Sequence, residues 1–187
     1  LEISGLAASR HYDRVLWAHN DSGAEALLYA ILLPEPGDDT RVGTSVVEFT
    51  VPDATLIDWE DIAIGPFGDR AVDTLFIADA GDNGLSREFV TIYVVGEPLD
   101  LVPSSIELVT RFDVQYPDGP HDCESIFVDS RSGDVFLVAK VYDEGVPANV
   151  YRLSAAQMAN RTEGVMELSI AGHVPLMMAT GADMVAG

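Results

Sequence analysis

Positive charge is scarce in this sequence. Only 10 of the 187 residues are lysine or arginine, against 31 aspartates and glutamates, and the formal net charge is −21. A surface of this sign repels the phosphates of nucleic acids and anionic membranes, so we expect neither as a partner. It attracts divalent cations, although a strongly acidic surface is also typical of proteins adapted to high salt. Lys140 is the only lysine.

Cysteine, long apolar runs and helical spacing are scarce as well. Cys123 is the only cysteine, which excludes an internal disulfide. No apolar run approaches the roughly 18 residues of a membrane span, and the one segment with helical spacing, residues 154–160, is short. The chain shows no leader segment and does not begin with Met, so we expect a mature form or a fragment, with a secreted or periplasmic location.

Short apolar segments recur in this sequence at intervals of about 60 residues. The clearest series is a tyrosine between apolar residues, at Tyr29, Tyr93 and Tyr151. An aromatic series precedes it, at Trp17, Phe76 and Phe136. Two further series keep the same order: Leu6, Ile62, Ile126 and Met184, and then Phe49, Phe112 and Leu168. Each repeat therefore contains four short strands in a fixed order.

Four strands in fixed order, separated by turn clusters such as PEPGDD and GDNG, predict an all-β chain made of β-propeller blades. We expect one partial propeller domain with four-stranded antiparallel blades at about 1–52, 58–116 and 121–172, and the start of a fourth at 179–187. A β-sandwich is the alternative, but it does not explain the fixed order. Because known rings have typically 4–8 blades, three blades predict half of a six-bladed ring, closed by the missing blades or by another copy of the chain.

Several motifs in the chain resemble those of a known family of propellers. The segments are WEDIAIGP, LFIADAGDN, IYVVGEP, HDCESIFVD, VFLVAK, VYRL and TGADM. They resemble a group of largely uncharacterised bacterial propeller proteins, which look like distant relatives of the six-bladed superfamily of gluconolactonases, strictosidine synthase-like proteins and calcium-dependent phosphotriesterases. The resemblance covers nearly the whole chain. It implies one calcium ion in a central channel, held by carboxylates and an asparagine from several blades.

Acidic residues at the mouths of the first strands are the candidate ligands for this Ca²⁺. Glu60 and Glu124 occupy equivalent positions, and Asp183 of the fourth unit aligns with Asp61, the residue after Glu60. In a propeller such positions converge on one axis, where carboxylates repel unless a cation or a proton is present. Calcium suits them because it accepts 6–8 oxygen ligands. Asn20 and Asp79, in the loops after second strands, complete the predicted site; turn formation is the alternative role for all of these residues.

Two functions are compatible with such a site. In the first, a metal-dependent hydrolase acts on a small ester, lactone or phosphoester, with His19 or His121 as general base. In the second, a non-catalytic secreted binding or scaffold propeller holds a structural ion. Lys140 could bind an anionic group of a substrate, but we expect an ion pair. Cys123 aligns with a packing position, so we expect a buried side chain rather than a nucleophile.

Overall fold

The regular secondary structure of the chain is almost entirely β-strand in the parts that a computed structural model describes, residues 3–21, 25–37, 45–161 and 163–184. The all-β prediction is confirmed. The single helix of these parts, α1 (Ala155–Ala159), begins at a capping box between Ser154 and Gln157. Within the same ranges no helix is long and apolar enough to cross a membrane.

The strands form three sheets, each built on a four-stranded antiparallel meander. Sheet 1 contains β1 (Ile3–Ala8), β2 (Val15–Asn20), β3 (Leu27–Leu32) and β4 (Ser45–Thr50). Sheet 2 contains β5 (Trp59–Gly65), β6 (Thr74–Asp79), β7 (Val90–Gly96) and β9 (Leu108–Gln115). Sheet 3 contains β10 (Cys123–Val128), β11 (Val135–Ala139), β12 (Ala148–Leu153) and β14 (Ser169–Val174). Chain order equals spatial order within each meander.

Two short strands extend sheets 1 and 2 by parallel pairing. β8 (Ser104–Ser105) lies in the connection between β7 and β9, yet it pairs with β4 of sheet 1. β13 (Met166–Glu167) lies in the connection between β12 and β14, yet it pairs with β9 of sheet 2. In both cases, a connection that belongs to one sheet pairs with the fourth strand of the preceding sheet and so covers the edge of that sheet.

The strand register places the three tyrosines at equivalent third-strand positions, as the repeat predicts. Tyr29, Tyr93 and Tyr151 lie opposite three second-strand residues that each directly follow a member of the aromatic series. These residues are Ala18, Ile77 and Leu137. The three tyrosines are also buried, at 4%, 2% and 0% exposure. The interval of about 60 residues therefore corresponds to one complete meander.

The fourth-strand series does not hold in sheet 3. Phe49 and Phe112 lie opposite the third-strand residues that precede Tyr29 and Tyr93. In sheet 3, the residue that precedes Tyr151 lies opposite Gly172 of β14. Leu168 instead precedes β14, and its N–H donates to the carbonyl of Gln115, at 2.9 Å. It was predicted within the fourth strand, but its segment is held by sheet 2.

Sheet 2 lies between the other two sheets and packs on both of its faces. Leu75 and Ile77 of β6 belong to the core shared with sheet 1, whereas Phe76 and Ala78 belong to the core shared with sheet 3. Side chains alternate between the two faces of a strand, so a strand with two packed faces must be apolar throughout. Every residue of β6 is accordingly buried.

The first strands, β1, β5 and β10, each form one edge of their sheet and lie side by side. Side chains connect them: the Ser4 hydroxyl donates to the carbonyl of Glu60 at 2.6 Å, and the Asp61 carboxylate accepts from the Ile126 N–H at 2.9 Å. The described parts of the three sheets do not close into a ring. Of the predicted fourth unit, residues 179–184 form no strand and residues 185–187 lie outside the described ranges.

Candidate functional site

Two of the first strands carry a bulge at a glutamate. In β5 the pairing with β6 skips Glu60, because Trp59 and Asp61 lie opposite consecutive residues. In β10 the pairing with β11 skips Glu124 in the same way. An extra residue bends the strand and re-aims its own side chain out of the regular alternation. The bulges therefore place the carboxylates of Glu60 and Glu124 outside the regular alternation of side chains in their sheets.

The entries into β5 and β10 are held by the loops that follow second strands of the neighbouring sheets. The N–H of Trp59 donates to the carbonyl of Asp21 at 3.0 Å, and that of Cys123 donates to the carbonyl of Ala80 at 3.3 Å. Asp21 and Ala80 are equivalent residues of the repeat, so the same junction occurs twice. Each junction brings a loop of one sheet against the first strand of the next.

Five carboxylates meet at these junctions and form what we call the acidic site, namely Asp21, Asp58, Glu60, Asp122 and Glu124. They form two groups that share Glu60, one with Asp21 and Asp58 and one with Asp122 and Glu124. Within each group, one oxygen of every member lies within 4.8 Å of the others. Asp122 and Glu124 are buried, and the other three side chains are half-buried.

Burial and neighbouring carboxylates raise the pKa of Glu60 to about 8, against an ordinary value of 4.5. Among these neighbours Glu124 has the largest effect, followed by Asp58. Burial, and then Asp21, raise the pKa of Asp58 to about 6, while Arg87 acts in the opposite direction. Without a cation, the acidic site therefore retains a proton near neutral pH, because so many negative charges cannot lie together uncompensated.

Part of the acidic site already has hydrogen-bond or ionic partners. Asp122 accepts from the N–H of Asp82 at 2.9 Å and from the Tyr142 hydroxyl at 3.2 Å. Lys140 forms an ion pair with Glu124, which confirms the ion pair predicted for this lysine. By contrast, Oδ1 of Asp21 is buried and accepts no hydrogen bond from any residue that the structure describes. The site thus retains unused acceptor capacity on the side of sheet 1.

Gly81 lies directly beside the acidic site. Its N–H donates to the carbonyl of Asp58 at 3.2 Å. A Cβ atom at this position would collide with carboxylate oxygens of Asp58 and Glu60. The backbone therefore approaches the carboxylates as closely as only a glycine allows, and the space that a side chain would fill stays with the acidic oxygens.

Of the five residues predicted as metal ligands, Glu60 and Glu124 belong to the acidic site. Asp79 is fully buried outside the acidic site, where it accepts from Arg87 at 2.9 Å and from the N–H of Asp58 at 3.2 Å. Asp79 therefore helps to position Asp58, a member of the acidic site, from outside that site. Asn20 is buried at the end of β2, next to Asp21, and its side-chain oxygen accepts no hydrogen bond from any residue that the structure describes.

Asp183, the remaining predicted ligand, is exposed and lies near Asp61 rather than in the acidic site. Its carboxylate accepts from the N–H of Met184 at 2.8 Å, just as Asp61 accepts from the N–H of Ile62 at 2.9 Å. Both aspartates line an open cleft together with Gly5 and Gly181. This cleft does not contain Glu60 or Glu124.

Neither predicted general base belongs to the acidic groups. His19 is fully buried against the edge of the Trp59 ring, and burial lowers its pKa to about 4. His121 packs against Tyr116 and Tyr151, with its Nε2 atom 3.1 Å from a carboxylate oxygen of Asp118. The two histidines thus lie in aromatic surroundings, where packing accounts for their positions.

Cys123 fills the packing role that its alignment with Trp59 predicts. Its side chain is 0% exposed and belongs to the core between sheets 2 and 3. Burial raises the pKa of its thiol to about 12. Because the thiolate is the reactive form, this cysteine is inert in the folded chain.

Sequence reasoning missed Asp21, Asp58 and Asp122. A signal for two of them was present, because Asp58 and Glu60 repeat as Asp122 and Glu124, with one packing residue between the members of each pair. Residues two apart in an extended segment point to the same side. The repeated D-x-E pattern therefore predicts that all four carboxylates lie on the same side of their strands, although only the two glutamates were predicted as metal ligands.

The acidic site is suited to hard cations. Its donors are carboxylate oxygens, which Ca²⁺ and Mg²⁺ prefer, whereas Zn²⁺ and copper favour nitrogen or sulfur ligands. Each of its two groups offers three carboxylates of two oxygens each towards the 6–8 oxygen ligands of calcium, and in one group Glu124 is also paired to Lys140.

Comparisons with protein-family models, curated proteins and solved structures find no match to this chain.

Proposed function

We propose that this chain is a divalent-cation-binding domain of the β-propeller type, with calcium as the favoured ion. Its three sheets would be consecutive blades. The repeated meander, the equivalent tyrosines and the adjacent first strands support this assignment. The proposal does not depend on the number of blades in the complete ring, since the acidic site is made by the three sheets present.

The observation that carries the proposal is the sharing of Glu60 by two acidic groups. A solvated acidic surface spreads its carboxylates apart, and turn-forming aspartates bond to nearby backbone amides. Here five carboxylates from three sheets approach one another in half-buried or buried positions instead. A divalent cation would offset part of their negative charge and release the proton that otherwise remains on the site.

The geometry favours a bracing role for the ion. Asp21 follows the second strand of sheet 1, Asp58 and Glu60 enter sheet 2, and Asp122 and Glu124 enter sheet 3. A cation held by the group with Asp21 would connect sheets 1 and 2, and a cation held by the group with Asp122 would connect sheets 2 and 3. These sheets otherwise meet through packing and a few hydrogen bonds. Hydrolysis of an ester, lactone or phosphoester at the same ion remains a hypothesis, which additionally needs a base close to the site.

Thermal unfolding with and without metal tests the proposal. If calcium binds only the folded chain, saturation at about 100 times the dissociation constant adds about 2.7 kcal/mol to the free energy of unfolding. We expect a higher melting temperature in calcium chloride than in chelator, and a smaller rise in magnesium chloride.

The variant Glu60→Gln/Glu124→Gln tests the location of the ion. It should lose most of the calcium-dependent rise, because two anionic ligands become neutral amides of the same shape. The double variant Glu107→Gln/Glu163→Gln is the matched control, since both of its positions are exposed, and it should retain the full rise. Coincident melting curves of the unmodified protein in calcium and chelator would show that the acidic site binds no calcium.

A further inference from the structure

Lys140 lies against the acidic site at the end of β11. Its backbone N–H donates to the carbonyl of Asp122 at 2.7 Å, which fixes the start of its side chain. Its ammonium pairs with Glu124, and the ion pair is largely shielded, with side-chain exposures of 13% and 10%. The same ammonium lies 5.5 Å from the centre of the Tyr142 ring.

The ammonium therefore already acts as a cation on one of the proposed metal ligands. Glu124 is a member of the group that it forms with Glu60 and Asp122. The ammonium carries one positive charge, so its ion pair with Glu124 reduces the formal charge of the five carboxylates by one.

We infer that Lys140 is an internal competitor for the proposed cation site: its ammonium occupies Glu124 when the metal is absent and is displaced when the metal enters. This inference rests on the proposed function. A divalent ion bound by Glu60, Asp122 and Glu124 would lie within a few ångströms of the ammonium, and the two positive charges would repel each other. The flexible lysine stem allows the ammonium to move away, and the Tyr142 ring offers it a favourable contact.

The competition has a definite consequence for affinity. Removing the ammonium makes the acidic site more negative and leaves Glu124 free for the metal. The dissociation constant of Lys140→Met for calcium should therefore be lower than that of the unmodified protein by at least about tenfold, the effect of a unit charge a few ångströms from a divalent ion even with the screening of bulk water. Methionine keeps much of the length and apolar volume of the lysine stem.

Calorimetric titration of calcium chloride and magnesium chloride into four proteins tests the inference. The proteins are the unmodified chain, Lys140→Met, Lys140→Arg and the control Arg111→Met, which removes one exposed positive charge in β9, where it pairs with Asp113. We expect tighter binding only for Lys140→Met. Lys140→Arg retains the charge and should bind no more tightly than the unmodified chain.

The possible failures are distinguishable. Equal affinity of Lys140→Met and the unmodified protein would overturn the competition and leave the proposed function intact. Weaker binding by Lys140→Met would also overturn it, since Lys140 would then support the ion. If none of the four proteins binds either metal, both the proposed function and this inference are wrong. Circular dichroism of each variant establishes that the β-structure is retained before titration.

Discussion

The carboxylate of Asp61 accepts a hydrogen bond from the backbone N–H of Ile126, with 2.9 Å between oxygen and nitrogen. The two residues belong to β5 and β10, which lie side by side without pairing. The same carboxylate oxygen lies 3.3 Å from the N–H of Ala182, and the other oxygen accepts from Ile62. One buried side chain thus satisfies N–H groups from three segments of the chain.

Replacing Asp61 with alanine should destabilise the fold strongly. The buried N–H of Ile126 would lose its acceptor, and hydrogen bonds to charged groups contribute about 1.5–3 kcal/mol each. We expect the free energy of unfolding to fall by about 2–4 kcal/mol, measured by urea denaturation with tryptophan fluorescence. Asp183→Ala removes an exposed carboxylate with the same local bond and should change stability by less than about 0.5 kcal/mol. Equal effects of the two variants would contradict the connecting role of Asp61.

A side chain at Gly81 should abolish cation binding. The added methyl group of Gly81→Ala would collide with the carboxylates of Asp58 and Glu60, and both would have to shift from the positions that they occupy in the acidic site. Gly84→Ala is the control from the same loop, since its Cβ would meet nothing closer than 3.5 Å. The measurement is the calcium-dependent shift in melting temperature. The shift should disappear in Gly81→Ala alone, and its persistence there would remove Gly81 from the site.

The stability of the metal-free protein should fall as the pH rises from about 4.5 to about 8. These are the ordinary pKa of Glu60 and its raised pKa in the folded chain. The folded chain binds the proton more tightly than the unfolded chain, so the stabilisation is complete below the unfolded value of 4.5 and is lost as the pH passes through the folded value. Urea denaturation in chelator at a series of pH values measures this slope. Glu60→Gln should make the slope shallower, and saturating calcium should do the same in the unmodified protein. An unchanged slope in Glu60→Gln would assign the pH dependence to other groups.

Cys123 should resist thiol reagents in the folded protein. Its side chain is fully buried and burial raises its pKa to about 12, so little thiolate is present and little can be reached. We expect no labelling by a disulfide-exchange reagent at pH 8 over the time in which urea-unfolded protein reacts completely. Rapid labelling of the native chain would show that the core between sheets 2 and 3 opens readily.

The repeat predicted the meanders because packing on two faces imposes a pattern that the sequence displays directly. Tyr29, Tyr93 and Tyr151 recur since each fills the same position in a third strand. Leu168 broke the series for a physical reason: the segment before β14 bonds to Gln115 of the neighbouring sheet. A contact with another sheet leaves no trace in the spacing of apolar residues.

The acidic site was predicted only at its bulged glutamates, Glu60 and Glu124. Asp21 could not be found by alignment, since the equivalent residue of the next repeat is Ala80 and the carboxylate occurs once. Asp79 was chosen because it follows a strand, but Arg87 lies eight positions further along and returns to pair with it. Loop geometry of this kind depends on where the chain turns back, which residue type alone does not determine.

The short parallel strands β8 and β13 impose an order in which the fold can come apart. β13 reaches sheet 2 from a connection in sheet 3, and β8 reaches sheet 1 from a connection in sheet 2. Unravelling that starts at β14, beside which no described residue pairs on the outer side, would withdraw β13 and bare the edge of β9. Loss of sheet 2 would then bare β4. Each step would expose an unpaired strand edge with which another chain could pair. Partial unfolding that starts at sheet 3 would therefore expose aggregation-prone edges one after another, in the direction of sheet 1.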